Sequence, residues 1–432
     1  MKKEPTNTIP KAIKFISSSL FLFMIGRGLG TDTYFSLYVK SILGSSWGVT
    51  LIGALLALIK LIFSVPIGAL NKKEDTKDIL LFWKILYALC GFFFFMAGFY
   101  SSPVFLVLAV ILNGIASSTT FTTYRNYYDK NATNENRSQI FWLYFSSMNI
   151  AEIVGAVISA VLVSYLELPF MYLFVIIFSL LSLVQEQKIK DRLKKNLQFL
   201  RRKKKRNLNL IKKVSNTEYF FWEKGFIQNY FKKSFSLKPW KKMVAMLKTY
   251  PKYFFSGIWS ITLVNILNYI GFLFIPVISA ENNLNLSQIA LVFAIMKLPY
   301  LVNIIVGNLG DRFNKKTLIS IILTAMSSCY VILWTCSGFI LTLVLTFLIS
   351  LGIALLNPIC SALVSTMSKE KDKGQMAWVQ EWASKLGEIL WALGFWILAS
   401  IVGTSWGFIT VGIAVFVLWC TLFVKNLFVK SE

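Results

Sequence analysis

Histidine is absent from the 432-residue chain. That removes the commonest metal ligand and the side chain best suited to moving protons near neutral pH, so proton chemistry must fall on carboxylates. Carboxylates are themselves scarce: 20 Asp and Glu stand against 45 Lys and Arg, a formal charge of +25. The five cysteines, Cys90, Cys329, Cys336, Cys360 and Cys420, all lie in apolar runs, with no pair in a polar loop. They read as reduced packing residues, not as a disulfide or metal framework. There is no glycine-rich loop of the phosphate-cradling type, which argues against nucleotide-driven work. No nucleophile and base are set out together, which argues against an enzyme, and no cofactor is expected.

Polar side chains are too few to cover a soluble globule. The hydrophobic share is 56% and the mean hydropathy +0.62, against a usual apolar content of about 45–50%. A bilayer core ~30 Å thick is crossed by about 20 apolar residues in a helix, and twelve such runs can be counted, near 15–39, 47–70, 79–101, 103–124, 139–165, 168–186, 253–279, 287–306, 317–336, 339–360, 376–402 and 405–425. Placing the N-terminus in the cytoplasm and alternating at each span puts 39 of the 45 Lys and Arg residues on the cytoplasmic side, with Lys40 alone on the other. The positive-inside rule therefore predicts a multi-pass protein of the cytoplasmic (inner) membrane with both termini cytoplasmic. Met1 to Lys14 is polar and the next apolar run is long enough to span, so no cleavable signal peptide is expected.

Between the sixth and seventh runs, Gln187 to Lys252 holds 21 of the Lys and Arg residues against three acids, Asp191, Glu218 and Glu223. The expected organisation is a bundle over 1–186, a basic linker over 187–252 and a second bundle over 253–432. Leu193, Leu197 and Leu200, and further on Trp222, Phe226, Tyr230 and Phe231, are spaced for helices lying on an anionic leaflet. A solvated linker whose charge enforces topology explains the same residues. Nucleic acid is not expected, because no readout module accompanies the charge.

The two halves repeat each other. At a shift of 236, Gln139, Trp142, Glu152, Ile153 and Ala156 fall on Gln375, Trp378, Glu388, Ile389 and Ala392. At a shift of 237, Ala57, Lys60 and Leu61 fall on Ala294, Lys297 and Leu298. Parallel six-span repeats are one plan of secondary transporters, with the substrate at the repeat interface. The loop Gly307-Asn-Leu-Gly-Asp311-Arg312-Phe-Asn-Lys315-Lys316, together with Asp129 to Arg137 before the fifth span, resembles the cytoplasmic signatures of the major facilitator superfamily. The chain departs from that family at Lys72, where the first-half signature would have aspartate, at Val110, where proton-driven antiporters carry arginine, and at Gly155-Ala156-Val157, which lacks the glycine-proline pattern of drug antiporters.

The resemblance implies an all-α fold of twelve transmembrane helices in two six-helix bundles related by a pseudo-two-fold axis. It also implies that span 2 packs beside span 11 and span 5 beside span 8. The expected contacts are then Lys60 with Glu388 and Lys297 with Glu152, two ion pairs bridging the halves. Ionised groups at such depth cost about 2.5–3.5 kcal/mol on insertion scales and need partners or water. Forming and breaking the pairs would bias alternating access; a permanent lock is the other reading. Glu381, Lys385 and Glu388 recur at i, i+4 and i+7 on the eleventh span, an acid-base-acid ladder in which Lys385 would neutralise Glu381 and leave Glu388 for Lys60. In the resembled family spans 1, 4, 7 and 10 line the path, so Arg27 is the expected contact for an anionic substrate group. Asp32 is a candidate to balance it and to share the substrate site, although a spacing of five puts the two on different faces of a regular helix; Asn265 and Asn268 are candidates on the opposite wall, where hydrogen bonding between helices is the alternative. Gly307, Asp311 and Arg312 would form a cytoplasmic gate by the same resemblance. Lys84 is expected to snorkel to the cytoplasmic surface.

These residues predict a monomeric secondary active transporter for a small organic solute, anionic or zwitterionic, with coupling to protons through buried carboxylates, to another ion, or to none. Anionic lipids are the expected partners of the basic linker. A transport-inactive scaffold or sensor with permanent ion pairs is the alternative, and counterflow in liposomes separates the two.

Overall fold

The computed structural model describes residues 11–70, 76–130, 137–203, 238–302, 315–335, 338–367 and 379–394. Every regular element among them is helical: α1 Lys11–Leu29, α2 Phe35–Leu43, α3 Ser46–Leu70, α4 Thr76–Phe99, α5 Pro103–Lys130, α6 Arg137–Leu162, α7 Leu168–Lys203, α8 Lys238–Leu247, α9 Lys252–Glu281, α10 Leu286–Lys297 with a 3-10 turn over Leu298–Val302, α11 Lys315–Thr335 and α12 Phe339–Met367. Residues 379–394 form a further helix, α13. Among the described residues, seven helices are long and apolar enough to cross a membrane: α3, α4, α5, α6, α7, α9 and α12. The twelfth expected span, the gate residues Gly307, Asp311 and Arg312, and the linker aromatics Trp222 to Phe231 lie outside the described residues.

Local signals set the ends. Gly44 takes φ +69°, the left-handed cap that a glycine adopts without a Cβ penalty, and its N–H closes α2 on the Lys40 carbonyl at 2.8 Å. Asn285 and Gln288 form a reciprocal capping box at the start of α10, with bonds of 2.8 and 3.0 Å. Pro103 opens α5, where its missing N–H would have had no helical partner. Helix α7 does not stop at the expected membrane edge near residue 186; it runs on to Lys203, because residues 187–203 are mostly strong helix formers without glycine or proline.

Helix α1 packs on α6 and α7, α4 on α5 and α7, and α3 on α5, which assembles the first half. In the second half α9, α10 and α11 all pack on α12. The halves meet where α6 lies along α10, and where α2 and α3 touch α9. Large apolar side chains such as Phe99, Val104, Val161, Ile321 and Ile340 are exposed around the outside, as a lipid-facing surface requires. Trp47, Tyr100 and Tyr165 are exposed beside three links at one end of the bundle, where amphipathic rings suit a membrane-water boundary. Helix α8, unremarked in the sequence, buries Met243 and Leu247 while Lys241 stays exposed, and rests against α3.

The crossing of α1 and α6 is backbone on backbone. A Cβ on Gly28 would come 2.7 Å from the Glu152 carbonyl oxygen, and one on Gly155 2.5 Å from that of Ile25. Main chain cannot step aside as a side chain can. Gly28→Val should therefore exceed the usual about 1–3 kcal/mol of core overpacking, and melting of the purified protein should show a clear fall from wild type.

Candidate functional site

The first span is not one helix. Residues 30–34 break it between α1 and α2, where Gly26, Gly28 and Gly30 are followed by Thr31-Asp32-Thr33, short polar residues that bond to nearby backbone in place of the helix ladder. The Thr33 hydroxyl donates to the Gly28 carbonyl at 2.5 Å and Ser159 on α6 donates to that of Leu29 at 2.9 Å, so two carbonyls freed at the end of α1 are satisfied. The same break swings Asp32 back over the helix end. Arg27 Nε and Nη2 donate to the two Asp32 oxygens at 3.0 and 2.8 Å, a bidentate pair buried in the protein. A continuous helix would have put these residues on different faces, so it is the break that lets Asp32 balance Arg27. Arg27 is also held against the faces of Phe121 at 4.7 Å and Tyr87 at 5.8 Å. Its Nη1, buried, has no hydrogen-bond partner among the described residues.

Between α6 and α10 the halves are tied at depth. Lys297, the last residue of α10, places Nζ 2.7 Å from Glu152 Oε2 on α6. It also faces the rings of Phe293 and Tyr300 at 5.2 and 5.9 Å. Tyr300, on the 3-10 turn, donates to Asn268 Oδ1 at 3.3 Å. Asn265 takes a hydrogen bond from Ser384 on α13 at 2.7 Å and donates to its own helix at the Ile261 carbonyl at 2.8 Å. Both asparagines thus sit in hydrogen bonds that join α9 to its neighbours.

The pseudo-symmetric counterpart differs. Glu388 Oε1 is held by Lys385 of the same helix at 2.6 Å, and Lys385 also reaches Glu381 at 3.7 Å. Lys60, half-buried on α3, forms no ion pair within 4.0 Å among the described residues. It remains within electrostatic range of Glu388, the strongest attraction on it, and of Lys385, Arg27 and Asp32. The direct Lys60 to Glu388 contact expected from the duplication is therefore not formed. The reason lies three residues upstream: the repeat places Asn149 where the second half has Lys385. A lysine one turn away on the same helix reaches its carboxylate without bridging two helices, whereas Glu152 has no such neighbour and accepts the lysine of the other half.

Lys84 does not snorkel. It is fully buried, with Nζ paired to Glu186 on α7 and bonded to the hydroxyls of Ser19 at 2.5 Å and of Ser182. Tyr124 on α5 donates to the same Glu186 oxygen at 2.7 Å. Four helices of the first half are pinned by this cluster, which no sequence pattern announced because its members are far apart in the chain.

Contacts between the halves continue toward one end of the bundle. Tyr269 donates to the Gly53 carbonyl at 2.6 Å, Phe35 stacks on Phe272 with ring centres 6.1 Å apart, Ser164 and Ser287 hydroxyls lie 3.0 Å apart, and Lys40 pairs with Glu281 at 2.8 Å on the exposed rim.

Comparison with known proteins bears on this architecture. No curated protein matches the sequence. Solved structures similar to the chain include a POT family transporter in complex with 5-aminolevulinic acid, at 12% identity and TM-score 0.72, covering 99% of both chains. A POT family transporter in complex with a thioalcohol-conjugated peptide aligns at 12% identity and TM-score 0.71, over 98% of this chain and 97% of that one. The nucleoside transporter NupG aligns at 11% identity and TM-score 0.67, over 96% and 99%. At these identities the likeness is one of fold. The sequence profile of the Major Facilitator Superfamily matches residues 16–296 and again 254–431. Because that match runs through both halves, the chain belongs to the Major Facilitator Superfamily of membrane transporters.

Proposed function

We propose that the chain is a secondary active transporter that carries a small organic solute across the cytoplasmic membrane by alternating access, with Arg27, Lys60, Asn265 and Asn268 along the solute path. The observation that carries this reading is the buried Lys297 to Glu152 pair across the halves, 2.7 Å apart, with Lys60 and Glu388 at the matching position of the repeat. Ionised groups at that depth are costly, so they are kept where they are paired and mark a solute or ion path. The contacts from Tyr269 to the Lys40 and Glu281 rim support a conformation closed at that end, which on the distribution of basic residues is the outside.

Glu152 is the proposed coupling group. Rocking the halves apart at α6 and α10 separates it from Lys297 and leaves a carboxylate without its cation, open to a coupling ion. Asp32 and Glu388 are held by cations of their own half, so the same motion does not release them. The cytoplasmic gate at Gly307, Asp311 and Arg312 remains part of the proposal, as does an anionic leaflet under the basic linker.

Counterflow in liposomes tests the reading. Purified protein loaded with a pool of unlabelled amino acids, carboxylates and nucleosides should drive saturable uptake of at least one labelled member. Arg27→Lys keeps a cation for Asp32 but loses the planar fork, so it should fold normally and weaken uptake about tenfold, the scale of one charge-assisted hydrogen bond. Absence of exchange with every pool, from protein that melts cooperatively, would rule the carrier out in favour of a scaffold.

A further inference from the structure

Three polar functions of the central site lack partners among the described residues, and their signs differ. Lys60 Nζ has no ion pair within 4.0 Å, and Arg27 Nη1 is buried without an acceptor. Glu388 Oε2 is buried without a donor, although its other oxygen is held by Lys385. Lys60 and Arg27 are each within electrostatic range of the other, and Glu388 acts on Lys60 without touching it. Buried donors and acceptors left open, as Arg27 Nη1 and Glu388 Oε2 are, cost about 1–3 kcal/mol each and more when charged, so a bound group that closes them and also pairs with the half-buried Lys60 gains at both poles.

We propose that the solute is a zwitterion: its carboxylate lies on Lys60 Nζ and Arg27 Nη1, and its protonated amine donates to Glu388 Oε2. This rests on the transporter reading and narrows it. Charge balance favours the same ligand. Arg27 with Asp32 and Lys297 with Glu152 are neutral as pairs, Glu381, Lys385 and Glu388 together carry one negative charge, and Lys60 carries one positive charge. The site is therefore neutral overall with its two signs held apart, and a ligand of either sign alone would leave one pole open. Lys385 has a stated part in this arrangement: by holding Glu388 Oε1 it keeps the carboxylate from collapsing onto Lys60 and preserves the gap between the poles.

The test is thermal melting of the purified full chain with glycine, β-alanine, 4-aminobutyrate and 5-aminopentanoate, each beside the unsubstituted carboxylate and the primary amine of the same length. At least one amino acid should raise Tm where its matched acid and amine do not. Its apparent Kd should rise about tenfold in Lys60→Gln and in Glu388→Gln, one charge-assisted bond each. Lys60→Gln should erase the advantage over the amine, and Glu388→Gln the advantage over the acid. A matched acid or amine that stabilises as well as the amino acid overturns the assignment, as does an amino acid whose Kd is unchanged in both variants. Silence across the series with counterflow intact sinks the zwitterion alone, whereas loss of counterflow with every pool sinks the transporter reading beneath it.

Discussion

Lys84→Met should be among the most damaging single substitutions in the protein, costing about 3–5 kcal/mol, the range for removing one partner of a buried ion pair. Lys84 has no solvent exposure, and its loss strands Glu186 among Ser19, Ser182 and Tyr124. Methionine fills the space of the lysine stem, so the penalty comes from the uncompensated carboxylate and not from a cavity. The second change Glu186→Gln should return most of the loss, since glutamine removes the stranded charge and still accepts from Tyr124. Chemical or thermal denaturation in detergent reads both variants. A double variant no better than Lys84→Met would mean that the cluster stabilises by packing rather than by charge.

Lys297→Gln should nearly abolish transport while leaving the protein foldable. Glu152 is left without its only ion-pair partner among the described residues, and the cost falls below the about 3–5 kcal/mol of a fully buried pair because Lys297 keeps 19% exposure. Uptake should drop at least about tenfold, which corresponds to a change of only ~1.4 kcal/mol in the balance between states. The exchange Lys297→Glu with Glu152→Lys should restore folding, because attraction is indifferent to which helix bears which sign. Uptake separates a moving gate from a static lock. A lock restored in stability regains uptake as well, whereas a gate with its carboxylate moved to α10 recovers stability without recovering proton-driven accumulation.

The membrane made part of this legible from sequence. Charge at depth is expensive enough that Lys60, Glu152, Lys297 and Glu388 stood out among apolar neighbours, and the repeat identified which residues correspond. Span limits followed from apolar length for α3, α4, α6, α9 and α11, which begin and end close to the expected limits, whereas α5, α7 and α12 run past theirs. What failed was local geometry. A regular helix puts Arg27 and Asp32 on different faces, but the glycines and Thr31-Asp32-Thr33 break that helix and close the pair. Spacing allows Lys385 either Glu381 or Glu388 and does not say which rotamer wins; its shorter contact is with Glu388, at 2.6 Å against 3.7 Å. Distance from the membrane edge points Lys84 to the surface, whereas its partner is on α7, 102 residues away in the chain.

The interruption at residues 30–34 has a mechanical consequence. Helix α1, bearing Arg27, is clamped to α6 and α7, whereas α2 touches both bundles: Tyr38 packs on Phe94 and Tyr172 of its own half, and Phe35 and Lys40 reach Phe272 and Glu281 of the other. Two short rods joined by a break transmit less torque than one continuous helix, so in the proposed alternating-access cycle the rim contacts would open without dragging the arginine from its seat. Release at the rim and repositioning at the centre would then be separate strokes of that proposed cycle.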